Sequence, residues 1–231
     1  MTLRTRSLQP EILDREEVDD ATLAAVLRDL SAVNTLTRAR APTIHFLRRI
    51  VRGSPGVRLR VLDVGYGDGD MLRRIARWGS RAGVGLALSG IDLNPGSAPA
   101  ARARTPGWMA IDYRTGDVFD QPAGAFDVIV SSLFTHHLTD PQIVQFLQWM
   151  EHSASRGWFV NDLHRHILAR DGFSLLSAAA RFHPIVQSDG RLSVERSFRR
   201  ADWVRLLARA GVPGQITWHT PFRYCVARCK P

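Results

Sequence analysis

Val61-Leu62-Asp63-Val64-Gly65-Tyr66-Gly67-Asp68-Gly69-Asp70 decides how the rest of the chain is read. Apolar residues with one aspartate among them predict a strand, and three glycines at alternate positions then predict a tight turn. Met71 to Trp78 follows with helical spacing. A strand that breaks into glycine and re-enters as a helix lets a ligand approach backbone N–H groups that side chains would otherwise cover. A dinucleotide-binding turn needs G-x-G-x-x-G, and Asp70 stands where its third glycine would fall. The spacing here is G-x-G-x-G behind a strand aspartate.

Working outward, 231 residues suit one α/β domain with a helical appendage. A hydrophobic share of 45% and a charged share of 23% are those of an ordinary globular protein, which excludes a disordered chain. No apolar run of about 18 residues occurs, and residues 1–10 lack the apolar centre of a secretory signal, so neither a membrane span nor export is expected. Cys225 and Cys229 sit four positions apart in an extended segment, too far to bridge, and are expected to be free thiols of a cytoplasmic protein. The net charge of +9 raises a nucleic-acid partner. The basic residues are nearly all arginine, with Lys230 the only lysine, and they are spread along the chain without a dense run interleaved with aromatics. A solvated basic surface is the better reading, and no nucleic-acid partner is expected.

Before the glycine turn, Leu23, Val26, Leu27, Leu30 and Val33 recur at helical spacing, with Asp19 or Asp20 as the cap. Pro42 is read as the break, and Thr43 to Val51 as a second helix. Residues 1–56 are thus expected to form an N-terminal helical cap on a domain of residues 57–231, with Asn34 facing a cleft. After the turn, strands and helices alternate. Strands are expected at Arg60–Val64, Leu86–Leu93, Met109–Arg114, Phe126–Ser132 and Gly157–Leu163, and two late strands at Gln215–Thr220 and Phe222–Arg228 close the sheet. Asp92 ends the second strand, where it would accept from both hydroxyls of a ribose held over the first turn. Asp117 follows the third, placed for the amino group of an adenine with Val118 against the ring. Asp63, Asp92 and Asp117 thus recur 29 and 25 residues apart at successive strand ends, where open parallel sheets bind ligands. Each alone could be a turn residue; three in βαβ spacing indicate one nucleoside site. Residues 164–198 read as an insertion covering the substrate, helical over Ile167–Arg181 and loop-like over His183–Ser197.

From Leu62 to Leu163 this set of motifs resembles the class I S-adenosylmethionine-dependent methyltransferases. Asp29-Leu30 with Asn34, Ser132-Leu133-Phe134-Thr135-His136-His137-Leu138, Val160-Asn161-Asp162-Leu163-His164-Arg165, and Leu192-Ser193-Val194 before Ser197-Phe198 are together similar to a bacterial group of small-molecule methyltransferases. That group is related to the quinone and polyketide O-methyltransferases. The finer similarity runs from about residue 28 onward. It implies a Rossmann-like, seven-stranded, mostly parallel sheet with an antiparallel last hairpin and helices on both faces. It further implies S-adenosylmethionine as donor, S-adenosylhomocysteine as product and a small aromatic or polyketide-like acceptor, and it leaves a homodimer open. The donor would be held by Asp63, Gly65, Tyr66, Gly67, Gly69, Asp92, Leu93, Asp117, Val118, Ser132 and Leu133. Tyr66 and Asp68 depart from the small or polar residues usual in this turn. The Asn/Asp-Pro-Pro-aromatic signature of nucleic-acid amino-methylating enzymes is absent after the fourth strand. A nucleic-acid or protein acceptor, or a fold that binds the donor without transferring methyl, are the alternatives.

Methyl transfer from a sulfonium to a hydroxyl needs alignment and a base, and histidine titrates in the right range. Two pairs offer one: His136-His137 after the fourth strand, and His164 with His166 after the fifth. Adjacent loop residues point apart as a rule, so one of each pair is expected in the cleft, with His137 or His164 as the base. Phe134, Asn161, Asp162 and Arg165 would orient the acceptor. No H-E-x-x-H helix and no carboxylate cluster beyond Asp162 is visible, so no metal is expected.

Overall fold

Alternating apolar runs and amphipathic helices build a three-layer α/β structure. In the computed structural model, which describes residues 3–15, 18–54 and 56–230, seven strands form one sheet. They are β1 (Arg58–Val64), β2 (Gly85–Asp92), β3 (Ile111–Thr115), β4 (Phe126–Ser132), β5 (Ala154–Leu163), β6 (Gln215–His219) and β7 (Arg223–Cys229), in the spatial order β3-β2-β1-β4-β5-β7-β6. Strands β1 to β5 pair in parallel, and β7 runs antiparallel to both β5 and β6. This is the expected sheet with its antiparallel closing hairpin.

Nine α-helices surround it among the described residues: α1 (Ile12–Arg15), α2 (Asp20–Leu36), α3 (Ala41–Ile50), α4 (Asp70–Ala82), α5 (Ser97–Ala103), α6 (Asp140–Ser153), α7 (Ile167–Ala179), α8 (Pro184–Arg196) and α9 (Arg200–Ala210). Successive strand residues point to opposite faces, so β1 is buried on both sides. Leu59 and Val61 pack with Phe46 and Leu47 of α3 and Leu72, Ile75 and Trp78 of α4. Leu62 and Val64 pack with Phe146 and Met150 of α6 and Trp203 and Leu206 of α9. The order in which the chain adds strands reverses at β1, with β2 and β3 on one side and β4 and β5 on the other, and the crevice at the carboxyl ends there is the natural ligand site of such a sheet.

Two expectations are corrected. Pro42 does not break the N-terminal helices: it lies in the first turn of α3, where its missing N–H costs nothing, and the break is the turn after Leu36. Residues 183–197 are not a loop, since Pro184–Arg196 is α8, capped by His183 Nδ1 accepting from Ile185 N. Gly190 and the polar run around it hide this helix from a reading by periodicity. In the fold Gly190 has a packing reason, because a Cβ there would fall 2.2 Å from the Phe173 ring of α7. The two helices therefore meet face to face and, with α1 and α2, stand over the carboxyl end of the sheet. Asp19 caps α2, accepting from Thr22 N at 2.9 Å.

Candidate active site

The glycine turn sits where β1 ends in the crevice. Gly65, Gly67 and Gly69 all have positive φ, a backbone that side chains rarely tolerate. Gly67 N donates to Asp92 Oδ2 at 2.9 Å, tying the turn to the end of β2, while Asn94 N donates to the other oxygen. The two departures from the usual turn have structural work. Tyr66 is buried, reaches the carbonyl of Arg114 at 3.2 Å and packs on Tyr113. Asp68 is paired with the buried Arg73 at 3.1 Å and with Arg104 at 2.8 Å. Asp63 differs from both: it is 2% exposed, and its Oδ2 has no hydrogen-bond partner. Burial, with Asp92 and Asp70 nearby, holds its carboxyl well above the ordinary range. Asp70, at the start of α4, is paired with Arg40.

Asp63 and the turn open into a cavity of about 480 Å³ walled by α2, α7 and α8. Its sides are mainly apolar, with Leu27, Leu30, Leu168, Phe173 and Leu176 among them, and Asn34 takes the place expected of it. At the acceptor end, residues remote in sequence converge. The last turn after β4, Thr135–His137, presents His136 and His137 side by side, with ring centroids 4.3 Å apart. Asp162 on β5 is fully buried and accepts from His136 Nδ1 at 2.7 Å, from His136 N at 3.0 Å and from the Thr135 hydroxyl. Burial alone would raise this carboxyl, but His136 and the other donors overcome it and hold it at about 2. Glu11 comes in from the N-terminal segment. Its Oε1 lies 3.6 Å from His136 Nε2 and its Oε2 3.9 Å from His137 Nε2. Burial pushes Glu11 up to about 7 against the pull of His137 and Ser193. Asp14 completes the group, both oxygens 3.1 Å from His137 Nδ1.

Residues 61–157 match the methyltransferase domain family. A ubiquinone biosynthesis O-methyltransferase of Ruegeria sp. (strain TM1040) is 30% identical over 100 residues, 42% of this chain. Residues 61–157 thus carry a methyltransferase domain. That match spans only 38% of the relative's own length. Among solved structures, a plantazolicin methyltransferase in complex with S-adenosylhomocysteine superposes with a TM-score of 0.64 at 15% identity, covering 94% of this chain and 92% of the other. A methyltransferase from Aquifex aeolicus gives 0.62 at 16% identity, covering 91% and 98%. These two show the shared fold.

Of the donor residues expected for such a methyltransferase, Asp63, Gly65, Tyr66, Gly67, Ser132 and Leu133 line the cavity. Asp92, Leu93 and Asp117 lie beside it at the ends of β2 and β3. There Leu93 is 68% exposed and Asp117 accepts from Phe119 N. Val118 is buried in the α6-side core, and Gly69 closes the turn over Tyr113.

The acceptor side needs more correction. Both His136 and His137 reach the cavity, because the tight turn after β4 turns them the same way; the expected divergence does not occur. His164 stands outside it, accepting from Trp218 Nε1 at 3.3 Å and packed on Tyr224. Asp162 orients His136 and is sealed from any acceptor. Asn161 is equally buried and donates to the Ala39 carbonyl at 2.7 Å, joining β5 to the turn before α3. Arg165 is 1% exposed and braces Ser197 O at 2.6 Å and Asp202 at 2.9 Å. Phe134 packs edge-on to Phe146 at 5.6 Å, beneath Gly65. What sequence reasoning missed is Glu11, Asp14 and Arg196. Glu11 and Asp14 stand in an acidic stretch of sequence, residues 11–20, and nothing local joins it to the histidines. Arg196 makes that joint by donating to the carbonyls of His136 and His137 at 3.0 Å each and of Gln9 at 2.7 Å.

Proposed function

We propose that the protein transfers the methyl group of S-adenosylmethionine to a hydroxyl of a small, flat, apolar acceptor. The observation that carries this reading is a single cavity leading from a buried, unpartnered carboxylate at the glycine turn to the Glu11–His136–His137 group. The donor end fits its ligand. Asp63 Oδ2 lacks a partner, and a ligand bringing positive charge would supply one. Asp92 presents its carboxylate beside the turn, and Leu93 an exposed apolar side chain, which suit a ribose and the face of a base. When bound, S-adenosylmethionine supplies an electrophilic methyl carbon on a sulfonium and leaves as a neutral thioether.

The chain's own residues do the rest. The turn, Asp63 and Asp92 fix the donor, while Leu27, Leu30, Phe173 and Leu176 hold a flat apolar molecule and exclude water. The group of Glu11, His136 and His137 withdraws the hydroxyl proton, leaving the electron pair on oxygen to form the new O–C bond. The Ruegeria relative's name, an O-methyltransferase of ubiquinone biosynthesis, supports oxygen as the receiving atom. Calorimetry with S-adenosylmethionine tests the donor half. Binding is expected in the wild type and strongly weakened in Asp92→Ala; no binding, or equal binding in both, sinks the reading. Mass spectrometry of a panel of phenols and enols, incubated with labelled donor, tests the acceptor half.

A further inference from the structure

We propose that Glu11, His136 and His137 hold one divalent cation of the zinc class at the acceptor end of the cavity. The argument starts from hydrogen-bond inventory. His136 commits Nδ1 to Asp162 at 2.7 Å, and His137 commits Nδ1 to Asp14 at 3.1 Å. The tautomer that donates from Nδ1 to these carboxylates is the one that turns an Nε2 lone pair toward a metal ion. Both lone pairs face the Glu11 carboxylate, itself an acceptor, at 3.6 and 3.9 Å. Those separations exceed hydrogen-bonding distance, so no shared proton joins the three groups. Three polar groups that converge without a hydrogen bond among them frame a place for a cation.

The spacing suits a metal ion. Two metal–ligand bonds of about 2.1 Å at a tetrahedral angle put the donor atoms roughly 3.4 Å apart. One oxygen or nitrogen from each of Glu11, His136 and His137 lies within 4.8 Å of the others, so a slight closing of Glu11 and His137 completes a three-ligand shell. Two imidazoles with one carboxylate is a zinc-type donor set and a poor one for magnesium, which prefers oxygen throughout. A carboxylate behind the Nδ1 of each histidine is the outer-shell arrangement that orients metal-binding imidazoles and raises their basicity. Ser193 Oγ steadies Glu11 from behind at 2.8 Å, and Arg196 reaches Asp14 at 3.4 Å. All three ligands line the cavity, which leaves the fourth position open to an acceptor. The sequence hides the set because Glu11 arrives from the far end of the chain.

The role of the ion rests on the reading above. With the ion bound, Glu11, His136 and His137 would serve as its ligands in place of acting as the base: a coordinated hydroxyl would lose its proton to solvent at lower pH, the O–H pair staying on oxygen, and that oxygen would take the methyl group as the sulfonium S–C bond breaks.

The test uses the tag-free full chain, stripped with chelator and dialysed against zinc. One zinc per chain by mass spectrometry is expected, and cobalt should give the intense visible bands of a low-symmetry imidazole site. Glu11→Gln should abolish stoichiometric zinc with an unchanged circular dichroism spectrum. Should that variant not fold, the exposed Asp14→Asn should weaken zinc by about 10–100-fold. S-adenosylmethionine calorimetry on the stripped protein is read separately, so loss of zinc binding with donor binding intact overturns this inference alone. No stoichiometric zinc, a cobalt spectrum like that of the hydrated ion, or zinc binding unchanged in Glu11→Gln or Asp14→Asn would overturn it and leave the three groups as a bare proton acceptor.

Discussion

Asp162 Oδ1 lies 2.7 Å from His136 Nδ1, and the two side chains are 0% and 3% exposed to solvent. The end of β5 thus sets the ring orientation of a histidine on the loop after β4. The same carboxylate also takes the Thr135 hydroxyl and the His136 backbone N–H. An asparagine in its place offers an NH₂ where at least one of these donors needs an acceptor. Asp162→Asn is therefore expected to destabilise the fold by about 3–5 kcal/mol, the usual cost of breaking a buried pair. Denaturant titration measures it, and a loss under about 1 kcal/mol would contradict the assignment.

Asp92 faces the glycine turn with both oxygens engaged by backbone donors. In the donor complex the same carboxylate is expected to receive ribose hydroxyls, each charge-assisted bond contributing about 1.5–3 kcal/mol. Asp92→Asn keeps the size and loses the charge. Calorimetry should show donor affinity down by roughly 10–100-fold, with the far-ultraviolet spectrum unchanged.

His164 is governed by different surroundings. Burial first, then the positive fields of His166, Arg199 and Arg165, lower it from 6.5 to about 4. A base depressed in the folded state stays neutral there while the unfolded chain takes up a proton. Its contribution to stability is therefore whole above about pH 6.5 and falls away as pH drops toward about 4. Nitrogen-detected imidazole spectra should find His164 neutral at pH 6. His164→Gln should flatten the acid side of the melting profile and leave methyl transfer intact. A titration near 6.5, or lost activity in His164→Gln, would return His164 to the list of candidate bases.

These contrasts mark how far the sequence reaches. The strand Phe126–Ser132 has the bounds expected of it, because a buried parallel strand is an apolar run between turn residues and needs no distant information. Asp63, Asp92 and Asp117 were legible for a similar reason: the βαβ rhythm itself brings strand ends together. α8 was not, since Gly190 and its polar neighbours oppose helix locally and are justified only by the Phe173 ring across the interface. Nor was Glu11, whose partners lie on the loop after β4 and on α8. Both histidine pairs were visible as candidates, yet which of the two loops faces the cavity is a property of packing.

Gly190 gives a direct test of the acceptor wall. A methyl group added there falls 2.2 Å from Phe173, a ring that lines the cavity. Gly190→Ala must push α7 from α8 or tilt the ring inward, at about 1–3 kcal/mol for an overpacked contact. Thermal unfolding should register the loss. Kinetics should show a raised KM for the acceptor with donor affinity unaltered, since the turn at β1 lies across the cavity.

Arg6 tests whether the N-terminal segment belongs to the site. Its guanidinium pairs with Asp140 at 2.7 Å, donates to the carbonyls of Leu138 and Arg196, and stacks 4.3 Å above the Phe198 ring. Together with Ser7 N on Glu195 O, and with Ile12 N and Leu13 N on the Asp189 carboxylate, it pins the segment that carries Glu11 across α8. Arg6→Ala removes bonds to a charged donor, each typically about 1.5–3 kcal/mol, without touching the glycine turn. Hydrogen exchange should speed up over residues 7–15, and methyl transfer should fall while S-adenosylmethionine binds as before. Transfer at the wild-type rate with the segment loosened would mean that Glu11 serves the fold alone.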